Sequence, residues 1–209
     1  MTHGKRSLTV AFFCLLFLCL PNVNNFFTIA HARVPESKSG EKVNSARDAK
    51  ASAEAFQSIV PVLRHPRCMN CHSSGDYPRQ GDDNHRHTMR VRRGPDGQGV
   101  NAVKCSTCHQ DHNLVGQHMP PGAPEWHLPS PTEPMIWEGL TDRQLCKLLL
   151  DPKQNGNRSP EQILEHMHTP LVLWGWNPGE GRSPVAMSSD IFLARVTLWI
   201  SSGAACPQH

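Results

Sequence analysis

Cys68-Met69-Asn70-Cys71-His72 and Cys105-Ser106-Thr107-Cys108-His109 repeat one pattern, in which two cysteines three positions apart are followed directly by a histidine. This C-x-x-C-H pattern is the attachment signature of a c-type haem. Two thiols at this spacing can form thioether bonds with the two vinyl groups of one porphyrin, and the adjacent histidine can then bind the iron. The motifs therefore predict two haem c groups, attached through Cys68, Cys71, Cys105 and Cys108, with His72 and His109 as axial iron ligands.

A zinc site is the alternative interpretation of the same four cysteines. Zinc takes four ligands, and two C-x-x-C pairs supply that number, as in a zinc ribbon. This alternative leaves the histidine after each pair unexplained, so haem accounts for more of the sequence.

The N-terminus has the pattern of a secretory signal. Lys5 and Arg6 precede an apolar run at residues 8–20, and Ala30-His31-Ala32 forms a small-x-small cleavage site. The apolar run is short for a membrane crossing, although an uncleaved anchor is the alternative. We expect residues 1–32 to be a signal peptide and the mature protein to be periplasmic or secreted, with no membrane span.

Residues 33–44 are polar and lack periodicity, which is typical of a flexible leader, and residues 45–209 form the predicted dihaem domain. Without Lys5 and Arg6, the mature chain has 19 basic and 18 acidic residues. This near balance gives no indication of a nucleic-acid partner. Cys146 and Cys206 remain as a pair in an oxidising compartment, where a disulfide is favoured over two free thiols.

Helical signals frame the motifs. Apolar residues recur at helical spacing over residues 45–63, capping boxes begin at Thr141 and Ser159, and a last helix is predicted over residues 189–202. The sequence thus predicts a mainly α fold, cytochrome c-like, with short helices and long irregular loops around two covalently bound haems.

The distal iron ligands are less well defined. The 32 residues between the motifs are too few to enclose one haem, so the two haems are expected to share a core. His87, then His85, are the predicted distal ligands of the first haem, and Arg90, Arg92 and Arg93 are either propionate partners or a solvated basic loop. In and beyond the proline-rich stretch 119–134, the order of preference is His127, Met135 and Met119, and each of these has a structural alternative. We expect His166 and His168 to be surface or supporting residues.

Further stretches resemble a family of small dihaem c-type cytochromes labelled as isoquinoline 1-oxidoreductase subunits. This resemblance covers most of the mature chain and implies the cytochrome partner of a molybdenum hydroxylase. The stretches are residues 61–68, Arg93-Gly94 with Asp96-Gly97, Gly122-Ala123-Pro124 with Trp126-His127-Leu128, residues 155–158, Trp174-Gly175-Trp176, and residues 203–207.

The predicted function is periplasmic electron transfer, with no catalysis by this chain alone. Its expected partners are the catalytic subunit of an oxidoreductase, another cytochrome or an oxidase. The alternative is a dihaem peroxidase, in which His112 or His118 would act as the acid and base. The spacing of the motifs disfavours that enzyme, because the known dihaem peroxidases are longer and separate their motifs more widely.

Overall fold

A computed structural model describes residues 38–209 of the chain, and the side chains from residue 48 onwards. The predicted signal peptide and residues 33–37 of the predicted leader lie outside the described residues.

The described chain is mostly helical, which confirms the mainly α prediction. The helices are α1 (Lys38–Leu63), α2 (Pro66–Met69), α3 (Asp142–Leu150), α4 (Pro160–Met167), α5 (Pro170–Leu173) and α6 (Ser189–Ser201). Two antiparallel hairpins pair β1 (Arg79–Gln80) with β2 (His85–Arg86), and β3 (Gly99–Val100) with β4 (Val103–Lys104). Single 3-10 turns occur at Cys105–Thr107 and Trp174–Trp176.

Helix α1 begins earlier than the sequence pattern predicts. Residues 38–44 are helical, although they were expected to belong to the flexible leader. Apolar periodicity marks only the part of a helix that packs on a core, whereas helix formation propagates at little cost through any stretch without a breaker. The helix ends at Leu63, two residues after Pro61.

The predicted caps form as expected. Thr141 and Ser159 each accept a hydrogen bond from the backbone N–H three residues on, and Gln144 and Gln162 complete the two capping boxes. Ser188 caps α6 through the Ile191 N–H. These local contacts satisfy backbone donors that the first turn of a helix leaves unpaired.

The core lies between α1 and α6, with α3 and α4 packed around them. Phe56 of α1 and Trp199 of α6 are fully buried, with ring centres 4.9 Å apart. A disulfide joins Cys146 of α3 to Cys206 beyond the end of α6. None of the helices in residues 38–209 has both the length and the apolar character of a membrane crossing.

Candidate functional site

The first C-x-x-C-H motif begins in the short helix α2, which follows α1 almost directly. His65 is the N-cap residue of α2, and Pro66 occupies the first turn, where proline is favoured because no helical hydrogen bond is lost. The N–H groups of Cys71 and His72 both donate to the carbonyl of Cys68, at 3.1 Å. This turn brings the two thiols and the histidine to one side of the chain.

The ring of His72 is fixed on two sides by residues more than 60 positions away. Its Nδ1 lies 3.0 Å from the carbonyl oxygen of Met135 and donates to it. The indole of Trp137 stacks on the ring, with centres 3.6 Å apart and 2° between the planes. A proton on Nδ1 leaves Nε2 with its lone pair, which is the arrangement that metal-binding histidines adopt.

The second motif repeats this arrangement with different partners. Cys105 opens a 3-10 turn directly after β4, and the His109 N–H donates to the Cys105 carbonyl at 2.9 Å. The Nδ1 of His109 donates to the carbonyl of Pro121 at 2.7 Å, and Trp126 stacks on the ring at 4.5 Å and 5°. Each motif histidine is therefore held by one backbone carbonyl and one tryptophan, with Nε2 left available.

Burial keeps both motif histidines neutral. Desolvation lowers the pKa of His72 to about 3, against the smaller opposing effect of its bond to the Met135 carbonyl. Desolvation also lowers the pKa of His109, and the Pro121 carbonyl opposes it in the same way. Only a neutral imidazole can bind a metal, so a lowered pKa favours the form of both histidines that can act as a ligand.

Two cavities lie beside the two motifs. The first is about 540 Å³ and is lined by Cys68, Cys71 and His72. The second is about 670 Å³ and is lined by Cys105, Cys108 and His109. Both volumes fall within the range of cofactor pockets, about 300–1,000 Å³. The cavities share one wall, which consists of Arg67, Cys71, Trp126, His127, Leu128 and Trp174.

Cys68 lines the first cavity, Cys105 and Cys108 line the second, and Cys71 lines both. Desolvation raises the pKa of Cys68 to about 12 and that of Cys71 to about 11, and it also raises the pKa of Cys105. Zinc binds thiolates and needs several ligands at one point. Within residues 48–209, no group of three or more His, Cys, Asp or Glu side chains is placed to hold a metal ion.

The predicted distal residues are distributed unevenly. His87 lines the second cavity, although its position after the first motif predicted a role at the first haem. His87 follows the β1–β2 hairpin, its N–H donates to the Pro78 carbonyl at 3.2 Å, and its ring centre lies 6.2 Å from that of His109 in the second motif. His85 lines the same cavity but is exposed, and its ring lies 2.6 Å from the Asp83 carboxylate.

The other predicted ligands lie along or outside the first cavity. His127 is in the shared wall, and its Nδ1 donates to the carbonyl of Glu125, which again leaves Nε2 available. Met135 lines the first cavity, while its carbonyl holds His72. Met119 is 41% exposed and is not among the residues that line either cavity.

His166 lines the first cavity, a position that no pattern in the sequence indicates. It was expected at the surface or in a supporting place, yet this residue of α4 lines the first cavity. Desolvation lowers its pKa to about 4, with smaller contributions from the charges of Arg158 and His127. Apolar periodicity over several helical turns would show which face of a helix is buried, but α4 has only eight residues, or about two turns.

Arg67 is the second residue that the sequence analysis missed. It is only 5% exposed, lines both cavities and forms an ion pair with Asp82. Its Nε–H is buried and has no hydrogen-bond partner among the described residues. A buried guanidinium N–H beside a cavity is suited to a carboxylate on the molecule that fills the cavity.

For Arg90, Arg92 and Arg93, the sequence left propionate pairing and a solvated basic loop open. Arg93 is buried and donates to the carbonyls of Pro129 and Gly75, and Arg92 pairs with the carboxylate of Asp76 at 2.9 Å. Arg90 is exposed. None of the three is among the residues that line the cavities.

The residues present fit haem c. Each cavity combines a pair of thiols, a neutral histidine with Nε2 available, apolar and aromatic walls and, in Arg67, an unpaired donor for a carboxylate. Comparison with protein-family models, with curated proteins and with solved structures finds no match for this chain.

Proposed function

We propose that this protein is an exported dihaem cytochrome c that carries electrons between partner proteins. The observation that carries the proposal is the duplicated arrangement at His72 and His109, each next to its own thiol pair and its own cavity. The haem iron supplies a reversible one-electron change, and the protein's part is to attach, ligate and shield it.

Each part of the site has a function in this proposal. Cys68 and Cys71 attach the first haem, and Cys105 and Cys108 attach the second. The carbonyls of Met135 and Pro121 and the two stacked tryptophans keep the motif histidines in one orientation. Fixed ligands lower the reorganisation that accompanies each electron transfer, which is the property that a carrier requires.

The wall shared by the cavities supports transfer within the protein. Cys71 lines both cavities, so an attachment point of the first haem borders the cavity beside the second motif. Electrons that enter at one haem would leave from the other. We propose that the partners are another cytochrome, an oxidase or the catalytic subunit of an oxidoreductase, and the molybdenum hydroxylase type rests on the sequence resemblance alone.

A redox titration of the holoprotein, followed in the visible spectrum, tests the proposal. We expect reversible uptake of two electrons per chain and no rapid reaction of the reduced protein with carbon monoxide, because a carrier keeps its irons six-coordinate. Peroxidase turnover with a reduced cytochrome as donor, together with an open iron site, would replace this proposal with the enzyme alternative.

A further inference from the structure

Two imidazole rings line the second cavity, and the distance between their centres is too long for a direct ring-to-ring hydrogen bond or for parallel stacking. The ring centres of His87 and His109 are 6.2 Å apart, and their planes are at 70°. Two rings joined by an N–H···N hydrogen bond of about 2.9 Å would have centres about 5 Å apart. Stacked rings would be closer still, as His72 and Trp137 are at 3.6 Å.

The observed separation lies in the range of edge-to-face ring contacts, about 4.5–7 Å, and it also equals the separation of two imidazoles on opposite sides of one metal ion. A metal–imidazole bond is about 2.0 Å long, and a ring nitrogen lies about 1.1 Å from the ring centre, so the two centres would be about 6.2 Å apart. Adjacent coordination positions would bring the centres to about 4.5 Å. The 6.2 Å separation therefore matches ligands that are opposite each other.

The hairpin holds His87 in this position. The His87 N–H donates to the Pro78 carbonyl at 3.2 Å, and the Arg90 N–H donates to the His87 carbonyl at 2.9 Å. Thr88, the next residue, donates its N–H to the Gln80 side chain at 3.0 Å. The Met89 N–H donates a 3.3 Å hydrogen bond to His87 Nδ1, so coordination through Nε2 requires the other tautomer, with the proton on Nδ1, and the loss of this bond.

The other histidines in this cavity are placed less well. His85 is exposed and its ring contacts Asp83, and His118 is exposed with its ring packed against Gly181. His127 also lines this cavity and is half-buried, but among the described histidines of the cavity only His87 makes a ring contact with His109.

We propose that His87 is the distal ligand of the second iron, opposite His109. The loop that follows the first C-x-x-C-H motif would then complete the second centre, and not its own. This inference rests on the proposed dihaem function. It also implies that the two centres are not independent units of the chain, because the segment attached to the first haem supplies a ligand to the second.

The experiment compares the holoproteins of His87→Ala and His85→Ala, which change two residues of the same hairpin and the same cavity. We expect both variants to retain two haems by the pyridine haemochrome assay. His87→Ala should bind one carbon monoxide per chain more than the wild type and show a high-spin ferric signal, and added imidazole should remove that signal. His85→Ala should behave as the wild type.

The NMR resonances of the indole N–H groups in the intact protein show which of the two haem centres has lost its distal ligand. In His87→Ala, carbon monoxide should shift the resonance of Trp126, which stacks on His109, and leave that of Trp137, which stacks on His72. If His87→Ala matures poorly, His87→Met replaces it, and its ferric form should gain a near-red methionine–iron band.

Two results would overturn the assignment while leaving the proposed function intact. One is a His87→Ala protein with two low-spin haems and no added carbon monoxide binding, or a His87→Met protein without the new band. The other is a shift at Trp137, which would place His87 at the first iron. Absence of haem from the wild-type protein, in contrast, would remove the proposed function itself.

Discussion

The ring of His72 lies flat against the indole of Trp137, with 3.6 Å between the ring centres. Trp137 is 3% exposed, and its backbone N–H donates to the carbonyl of His72 at 2.9 Å. One residue thus supports both the backbone and the ring of the histidine that ends the first motif.

Removing the indole should therefore affect stability and the first centre together. We expect Trp137→Ala to lower the free energy of unfolding by about 3–5 kcal/mol, the usual cost of deleting a large buried aromatic side chain. Trp137→Phe should cost less than about 1.5 kcal/mol, because it keeps an aromatic face and removes an Nε1–H that is buried without a partner among the described residues. Denaturant unfolding measures both values, and equal costs for the two variants would contradict the stacking role.

The Arg67–Asp82 ion pair makes stability depend on pH. Burial alone would raise the pKa of Asp82, but hydrogen bonds from Ser183 and the charge of Arg67 outweigh it, so the folded-state pKa is lowered. A carboxyl with a lowered folded-state pKa stabilises the protein above its unfolded pKa of about 4, and this stabilisation is lost as the pH falls further. We expect Asp82→Asn to reduce the acid sensitivity of unfolding between about pH 4 and pH 2.

Asp83→Asn is the matched control for Asp82→Asn. At neutral pH, Asp82→Asn leaves the buried Arg67 without its carboxylate and should cost about 1–3 kcal/mol, whereas Asp83 is 74% exposed at its side chain and its change should cost much less. Equal losses in the two variants would show that the buried arginine does not depend on this pair.

The local parts of the site follow from the sequence, and the long-range parts do not. The motifs, the capping boxes at Thr141 and Ser159 and the last helix depend on residues within a few positions of one another. The partners of His72 and His109 come from 63 and 12 residues away, and no common spacing relates Met135 and Trp137 to Pro121 and Trp126.

Which cavity each candidate distal residue lines also depends on long-range packing, so the sequence could not predict it. His87 was expected beside the first motif because it follows that motif in the chain, but after the hairpin it lines the second cavity. His166 lies on a helix of eight residues, too short for periodicity to show that one face lines a cavity.

Gly122 supports the second centre by its lack of a side chain. A Cβ at this position would overlap the backbone carbonyl oxygens of Gln110 and His112, next to the Pro121 carbonyl that holds His109. We expect Gly122→Ala to cost about 1–3 kcal/mol, because backbone must move to relieve the overlap, and to alter the spectrum of the second haem.

Gly175→Ala is the control for that change. Gly175 is also buried, but its added Cβ would meet side-chain atoms of Arg67 and Val185 at 3.4 and 3.5 Å, which is ordinary contact. Comparing the ferric spectra and the unfolding curves of the two variants tests the role of Gly122, and similar effects at both positions would refute it.

The Cys146–Cys206 disulfide links α3 to the segment after α6 across a sequence separation of 60 residues. Cross-links over loops of this length stabilise proteins by about 2–4 kcal/mol. We expect the double variant Cys146→Ser with Cys206→Ser to lose stability of that order in urea, with two haems still attached. Loss of haem in this variant would assign the two cysteines a role in the site that the structure does not give them.

The intact mass of the protein, purified from a host with a periplasmic cytochrome c maturation system, tests the central claim most directly. The predicted mass is that of the chain from Arg33 with two haems attached, and pairwise replacement of Cys68 and Cys71, or of Cys105 and Cys108, by alanine should each remove one haem. A wild-type chain with the mass of the bare polypeptide would contradict the account.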